Sequence, residues 1–175
     1  NVFIESFEEV KPAIMSGFRG MFGEFKLGQQ EKNNLQQILN NHYQPSMLPE
    51  GQIADDYEEL TRITSEVKAI SAQSVLLHGE RIKKAQDLLK NYSDGAFSEW
   101  LKVTYGNRQT PYSMLRYYEL YHAIPQHAKT KIEHMPKKAI YILASRDGDL
   151  TEKIKLIESY DGENQKKVIH LIEEL

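Results

Sequence analysis

The sequence predicts an all-α protein, a multi-helix bundle containing a helix-turn-helix. Apolar residues recur at helical spacing along most of the chain, and no hairpin or alternating strand pattern appears. Near the middle, two short amphipathic segments flank a glycine-containing turn. At 175 residues, 40% hydrophobic and 27% charged, the chain is long enough for a proper core and lies outside the disordered class. The expected organisation is an N-terminal helical and aromatic-glycine segment over 1–52, a helical core over 53–128 and a C-terminal helical layer over 129–175. The helix-turn-helix occupies about 93–124 of the core.

In the first segment, Phe3, Ile4, Phe7 and Val10 with a Ser6/Glu9 capping-box spacing predict a short helix that Pro12 kinks. Gly17, Gly20, Gly23 and Gly28 then interleave with Phe18, Met21, Phe22 and Phe25. Such a stretch is either a hinge with aromatic anchors or a docking surface. It is not a phosphate loop, because no strand precedes it and no Lys-Ser/Thr pair follows. Gln29 to Tyr43 reads as a helix with Leu35, Ile38, Leu39 and His42 on one face, ended by residues 44–52.

Ile53, Tyr57, Leu60, Thr64 and Val67 recur at steps of four and three, a seam that suits packing within the chain or dimerisation. A Ser/Ala/Gln-rich joint at Ser71 to Ser74 is expected to separate this helix from one carrying Ile82, Ala85, Leu88 and Leu89. Phe97, Trp100, Leu101 and Tyr105 mark the buried face of the next helix, with Gly106 where a left-handed cap belongs. After Asn107, Arg108 and Gln109, Thr110 is the expected N-cap and Pro111 fits the first turn of a helix running to about Ala123. That helix turns Met114, Leu115, Tyr118, Tyr121 and His122 inward with Pro111, and Tyr112, Ser113 and Arg116 outward. Leu120 falls on the outward side, which favours cover by a neighbouring helix there. Pro136 opens a helix through Ile140, Leu143 and Ala144, and two more follow over about 151–160 and 165–175.

The net charge of −3 conceals a strong asymmetry. Residues 1–65 carry 5 basic and 10 acidic side chains, 66–146 carry 13 and 7, and 147–175 carry 4 and 8. The basic centre coincides with the helix-turn-helix, so the expected partner is double-stranded DNA. Arg116 is placed to fork onto a guanine, and Gln109, Thr110, Tyr112 and Ser113 to contact bases or phosphates. Lys102, Arg108, Lys129, Lys131, Lys137 and Lys138 are the expected backbone contacts. Pairing of two such units on two half-sites predicts a homodimer. The alternative reading is a helical protein-interaction module using the aromatic-glycine segment or the 53–67 seam.

Several classes are excluded or disfavoured. The absence of cysteine removes disulfides, thiolate metal sites and cysteine nucleophiles. The six histidines form no HxxxH pair, and no GxSxG, Walker or kinase motif is present, so neither an enzyme nor a bound cofactor or small-molecule substrate is expected. No apolar stretch approaches the roughly 20 residues of a membrane span, and no basic leader opens the chain. A cytoplasmic protein is the expectation.

The run HGERIKKAQDLLKNYSDGAFSEWLKVTYGNRQTPYSMLRYYELYHAIP, continuing to MPKKAIYILASRDGDLTEKIKLI, resembles the family of the sixth open-reading-frame product of the chlamydial virulence plasmid and its chromosomal paralogue. The resemblance covers about the last two thirds of the chain and implies a bacterial protein linked to plasmid maintenance. More distantly, GAFSEWL followed by TPYSMLRYYEL is similar to helix-turn-helix segments of plasmid partition and phage proteins. SVLLHGERIKKA resembles in part a nucleotide-binding box of partition proteins, through Gly79, Glu80 and Arg81, but Ile82 stands where a second arginine belongs. A solvated helix face is the simpler reading of Arg81.

Overall fold

The computed structural model describes residues 26–175, so the expectations for the first helix and for most of the aromatic-glycine segment lie outside the described residues. Within them the protein is all-helical. The helices are α1 (Gln29–Asn41), α2 (Gln52–Leu89), α3 (Ala96–Tyr105), α4 (Gln109–Ala123), α5 (Gln126–Ile132), α6 (Lys137–Ser145), α7 (Leu150–Ser159) and α8 (Gln165–Glu173).

The largest departure from expectation is α2, one uninterrupted helix of 38 residues through Ser71 to Ser74. Alanine and glutamine are good helix formers, serine costs only tenths of a kcal/mol, and no proline is present to break the ladder. At 1.5 Å per residue, α2 spans about 57 Å. The short α5 was not anticipated.

The main core is built from Val75 on α2, Tyr117 and Leu120 on α4, Ala128 and Ile132 on α5, Ala139, Ile140 and Leu143 on α6, Ile157 on α7, and Val168 and Ile172 on α8. Leu120 is therefore covered, as its apolar character requires. A second cluster joins Ile82, Leu101 and Leu115 and is roofed by Phe97, Trp100, Tyr105 and Tyr112. α4 lies between α2 and α6, with its most extensive contact on α2.

Gly79 sits where α2 and α4 meet. A Cβ added there would lie 2.3 Å from the Tyr118 Cβ and 2.7 Å from the Met114 carbonyl oxygen, so only glycine lets the two backbones approach this closely. This corrects the nucleotide-box reading. Gly79 is buried inside a continuous helix, Glu80 pairs with Lys84 at 2.9 Å, and the Arg81 guanidinium donates to the Leu77 carbonyl at 3.0 Å.

Candidate nucleic-acid interface

The chain passes from α3 to α4 in three residues. Gly106 takes the left-handed conformation (φ 77°) that ends α3, and its N–H donates to the Lys102 carbonyl at 2.9 Å. The cap of α4 differs from the expected one. Arg108 precedes the helix, Thr110 lies within its first turn, and the Thr110 N–H donates to Asn107 Oδ1 at 2.8 Å. An Asn side chain reaching three residues forward supplies the oxygen expected from threonine. The inward face is also shifted: Pro111, Leu115, Tyr117 and Leu120 are buried, Met114, Tyr118 and Tyr121 are half-buried, and His122 is exposed.

The predicted contact residues fall into distinct groups. Gln109, Ser113 and Lys138 come together with Arg146 in a shallow groove of about 430 Å³ between α4 and α6, floored by Tyr141 and Ile142. The Ser113 hydroxyl donates to the Gln109 carbonyl at 3.0 Å and so lies along its own helix. Arg116 is exposed in a neighbouring groove of about 220 Å³, beside Glu119 and across from Ala144, Leu150 and Lys153. Lys102 and Thr110 are exposed, and Arg108 is exposed with its guanidinium donating to Ser98 Oγ at 3.1 Å. Tyr112 is spoken for, half-buried with its ring edge-on to Phe97 at 5.7 Å.

Three expected backbone-contacting lysines lie apart from this surface. The Lys129 ammonium stands 5.2 Å over the Tyr121 ring. Lys131 donates to the Glu158 carbonyl and, at 3.1 Å, to the Tyr160 carbonyl, holding the end of α7. Lys137 is exposed but lines a separate cavity of about 780 Å³ with Lys68, Glu133, His134 and Lys167. The use of Lys131 is repeated elsewhere. Lys153 donates to the Arg146 carbonyl at the end of α6, and the Arg146 guanidinium donates to the Glu173 carbonyl at the end of α8 at 3.1 Å. Helix C-termini leave carbonyls unsatisfied and carry partial negative charge, which cationic side chains offset. Part of the basic character of this region therefore serves the fold.

The large cavity beside α1 is of mixed charge. Glu31 turns back to accept from the Gly28 N–H at 3.0 Å and pairs with Lys68, and His134 stands 3.8 Å from the same carboxylate. Burial lowers the pKa of Lys68 and of His134 and raises that of Glu133. The Tyr121 hydroxyl donates to Glu133 at 3.2 Å, and burial, with that carboxylate, pushes its pKa up to about 12. Among the described residues no group of three or more His, Asp or Glu side chains could hold a metal ion, and no helix is long and apolar enough to cross a membrane.

Sequence reasoning missed Arg146 as a member of the α4–α6 groove. It was visible only as one of the 13 basic residues of the central segment, since its place beside Gln109 depends on how α6 crosses α4.

The model of the uncharacterised protein family UPF0137 matches residues 8–175. The chain is 41% identical over 158 residues to the virulence plasmid protein pGP6-D-related protein of Chlamydia trachomatis serovar D, covering 90% of this chain and 59% of that relative. It is 45% identical over 146 residues to the same-named protein of Chlamydia pneumoniae, covering 83% and 57%. The virulence plasmid protein pGP6-D of Chlamydia muridarum is 32% identical over 152 residues, covering 85% and 61%. The chain thus spans about three fifths of the length of these relatives, and the family match extends beyond the last two thirds that carried the resemblance into the N-terminal third. No solved structure matches the chain.

Proposed function

We propose that this chain, which belongs to the uncharacterised protein family UPF0137, binds double-stranded DNA through a helix-turn-helix formed by α3 and α4. In this reading it acts without catalysis, as a cytoplasmic homodimer of the plasmid maintenance or regulatory type. The observation that carries the reading is the groove in which the start of α4 opens to solvent. Gln109 and Ser113 share it with Lys138 and Arg146, Arg108 precedes Gln109 directly in the chain, and both Arg108 and Lys102 are exposed. Side-chain amides and hydroxyls at a helix start, flanked by cations, suit phosphate and base-edge contacts. Lys129 and Lys131 drop out of the proposed contact set, because an aromatic ring and the end of α7 already engage them.

The test is a fluorescence-anisotropy titration of labelled duplex DNA at low and moderate salt. The reading expects binding that weakens steeply with salt and falls about tenfold in Arg108→Ala/Lys138→Ala. No binding by the folded protein at low salt would overturn it. The second reading, a protein-interaction module, is favoured by a different observation: α2 exposes Ile63, Val67, Ile70 and Leu77.

A further inference from the structure

The two faces of α2 differ sharply. Ala69, Val75, Gly79 and Ile82 are buried toward the bundle. On the far side, at about 100° per residue, Ile63, Val67, Ile70 and Leu77 form a stripe, yet they are 43%, 59%, 45% and 40% exposed. Their steps of four, three and seven are those of a coiled-coil seam, with Ser74 filling the interval before Leu77. The same stripe continues into charge at both ends. Asp56 and Glu59 precede it and Arg81 and Lys84 follow it, all within about 60° of the stripe's centre; between Ile63 and Leu77 the same arc holds one charge, Glu66, which is paired with Arg62 on its own helix. From Asp56 to Lys84 the surface runs about 40 Å.

We infer that this stripe is the homotypic interface of the protein, pairing α2 with α2 of a second copy in antiparallel fashion about a two-fold axis near Ile70. The charges choose both occupant and direction. An antiparallel pair centred on Ile70 sets Ile63 against the partner's Leu77, Glu59 against the partner's Arg81 and Asp56 against the partner's Lys84. A parallel pair would set acid against acid and base against base over the same length. A stripe that is acidic at one end, mainly apolar in the middle and basic at the other is its own complement under a two-fold rotation, as an isologous dimer requires, and Glu66 then faces the partner's Ser74 rather than a like charge. The inference does not rest on the DNA reading. α4 packs on the opposite face of α2, at Gly79, so the proposed dimer leaves the start of α4 open.

The experiment is sedimentation equilibrium of the full 175-residue chain up to about 100 μM, with helicity followed by circular dichroism. A dimer is expected, with Ile70→Glu monomeric at unchanged helicity. Arg81→Glu should weaken association about tenfold, and adding Glu59→Arg should restore it, because only the antiparallel arrangement brings those two positions together. The chain lacks cysteine, so Ile70→Cys introduces a unique thiol that should oxidise to a crosslinked dimer, whereas Val103→Cys, on the exposed side of α3, should not. A wild-type chain that stays monomeric, a dimer that Ile70→Glu leaves intact, or a double charge swap that fails to restore association would overturn the inference. Retention on a heterologous protein or on anionic vesicles without self-association would do the same.

Discussion

The arm formed by α1 and the first half of α2 and the bundle formed by α4 to α8 are both helical, yet they are held together differently. α1 buries no residue fully, and the first fully buried position of α2 is Ala69. The arm's local order comes from ion pairs along a single helix, such as Arg62 between Glu59 and Glu66, and from packing of α1 on α2. Exposed pairs of this kind are screened by solvent and anchor a helix weakly. In the bundle, by contrast, every helix contributes buried apolar side chains, and cations from other helices or their ends close the helix termini. Amphipathic patterning alone therefore does not say how firmly a helix is anchored; the number of faces that find a partner does.

Ile140→Ala should give the largest effect, a loss of about 2–5 kcal/mol, since this side chain is fully enclosed and its removal leaves a cavity. Ile38→Ala, on the outer face of the arm, should stay within about 0.5 kcal/mol. Urea denaturation of the two variants sharpens the contrast, and comparable losses would break it. Gly79→Ala comes next, because the added methyl collides with backbone as well as with Tyr118. A loss of about 1–3 kcal/mol is expected despite the better helix propensity of alanine. A variant as stable as wild type would mean that α2 and α4 are not pressed together at this point.

Lys131→Met should cost less than Gly79→Ala, about 0.5–1 kcal/mol, from the loss of its bonds to the end of α7. On the proposed DNA reading, its affinity for duplex DNA should match that of wild type. A loss of affinity without a fall in thermal midpoint would return Lys131 to the binding surface.

Features governed by adjacent residues were legible in the sequence. Gly106 ends α3, Pro111 sits in the first turn of α4, and Phe97, Trp100, Leu101 and Tyr105 face inward, all as local chemistry dictates. The break at Ser71 to Ser74 was misread because a run of small polar residues carries no breaker, and a helix propagates through it once both ends are anchored. Gly79 looked like a motif residue because the close approach of α4 depends on a segment more than thirty positions away. The lysines fared similarly. Lys129 and Lys131 have the same composition signature as Lys138, and only the placement of Tyr121 and of the end of α7 separates their roles. Within the candidate interface, the helix bearing Gln109 and Ser113 and the helix α6 bearing Lys138 were both readable, and the crossing that brings Arg146 beside them was not.

The cationic side chains that close the helix ends form a relay: Lys131 of α5 secures α7, Lys153 of α7 secures α6, and Arg146 at the end of α6 secures α8. Two of these links meet at the exposed turn of Asp147, Gly148 and Asp149. Arg146 lies just before the turn and is both a recipient and a giver, and Lys153 lies just after it. A protease that cut this turn would thus do more than open a surface loop. It would uncouple the chain linkage between the two residues on which the ends of α6 and α8 depend.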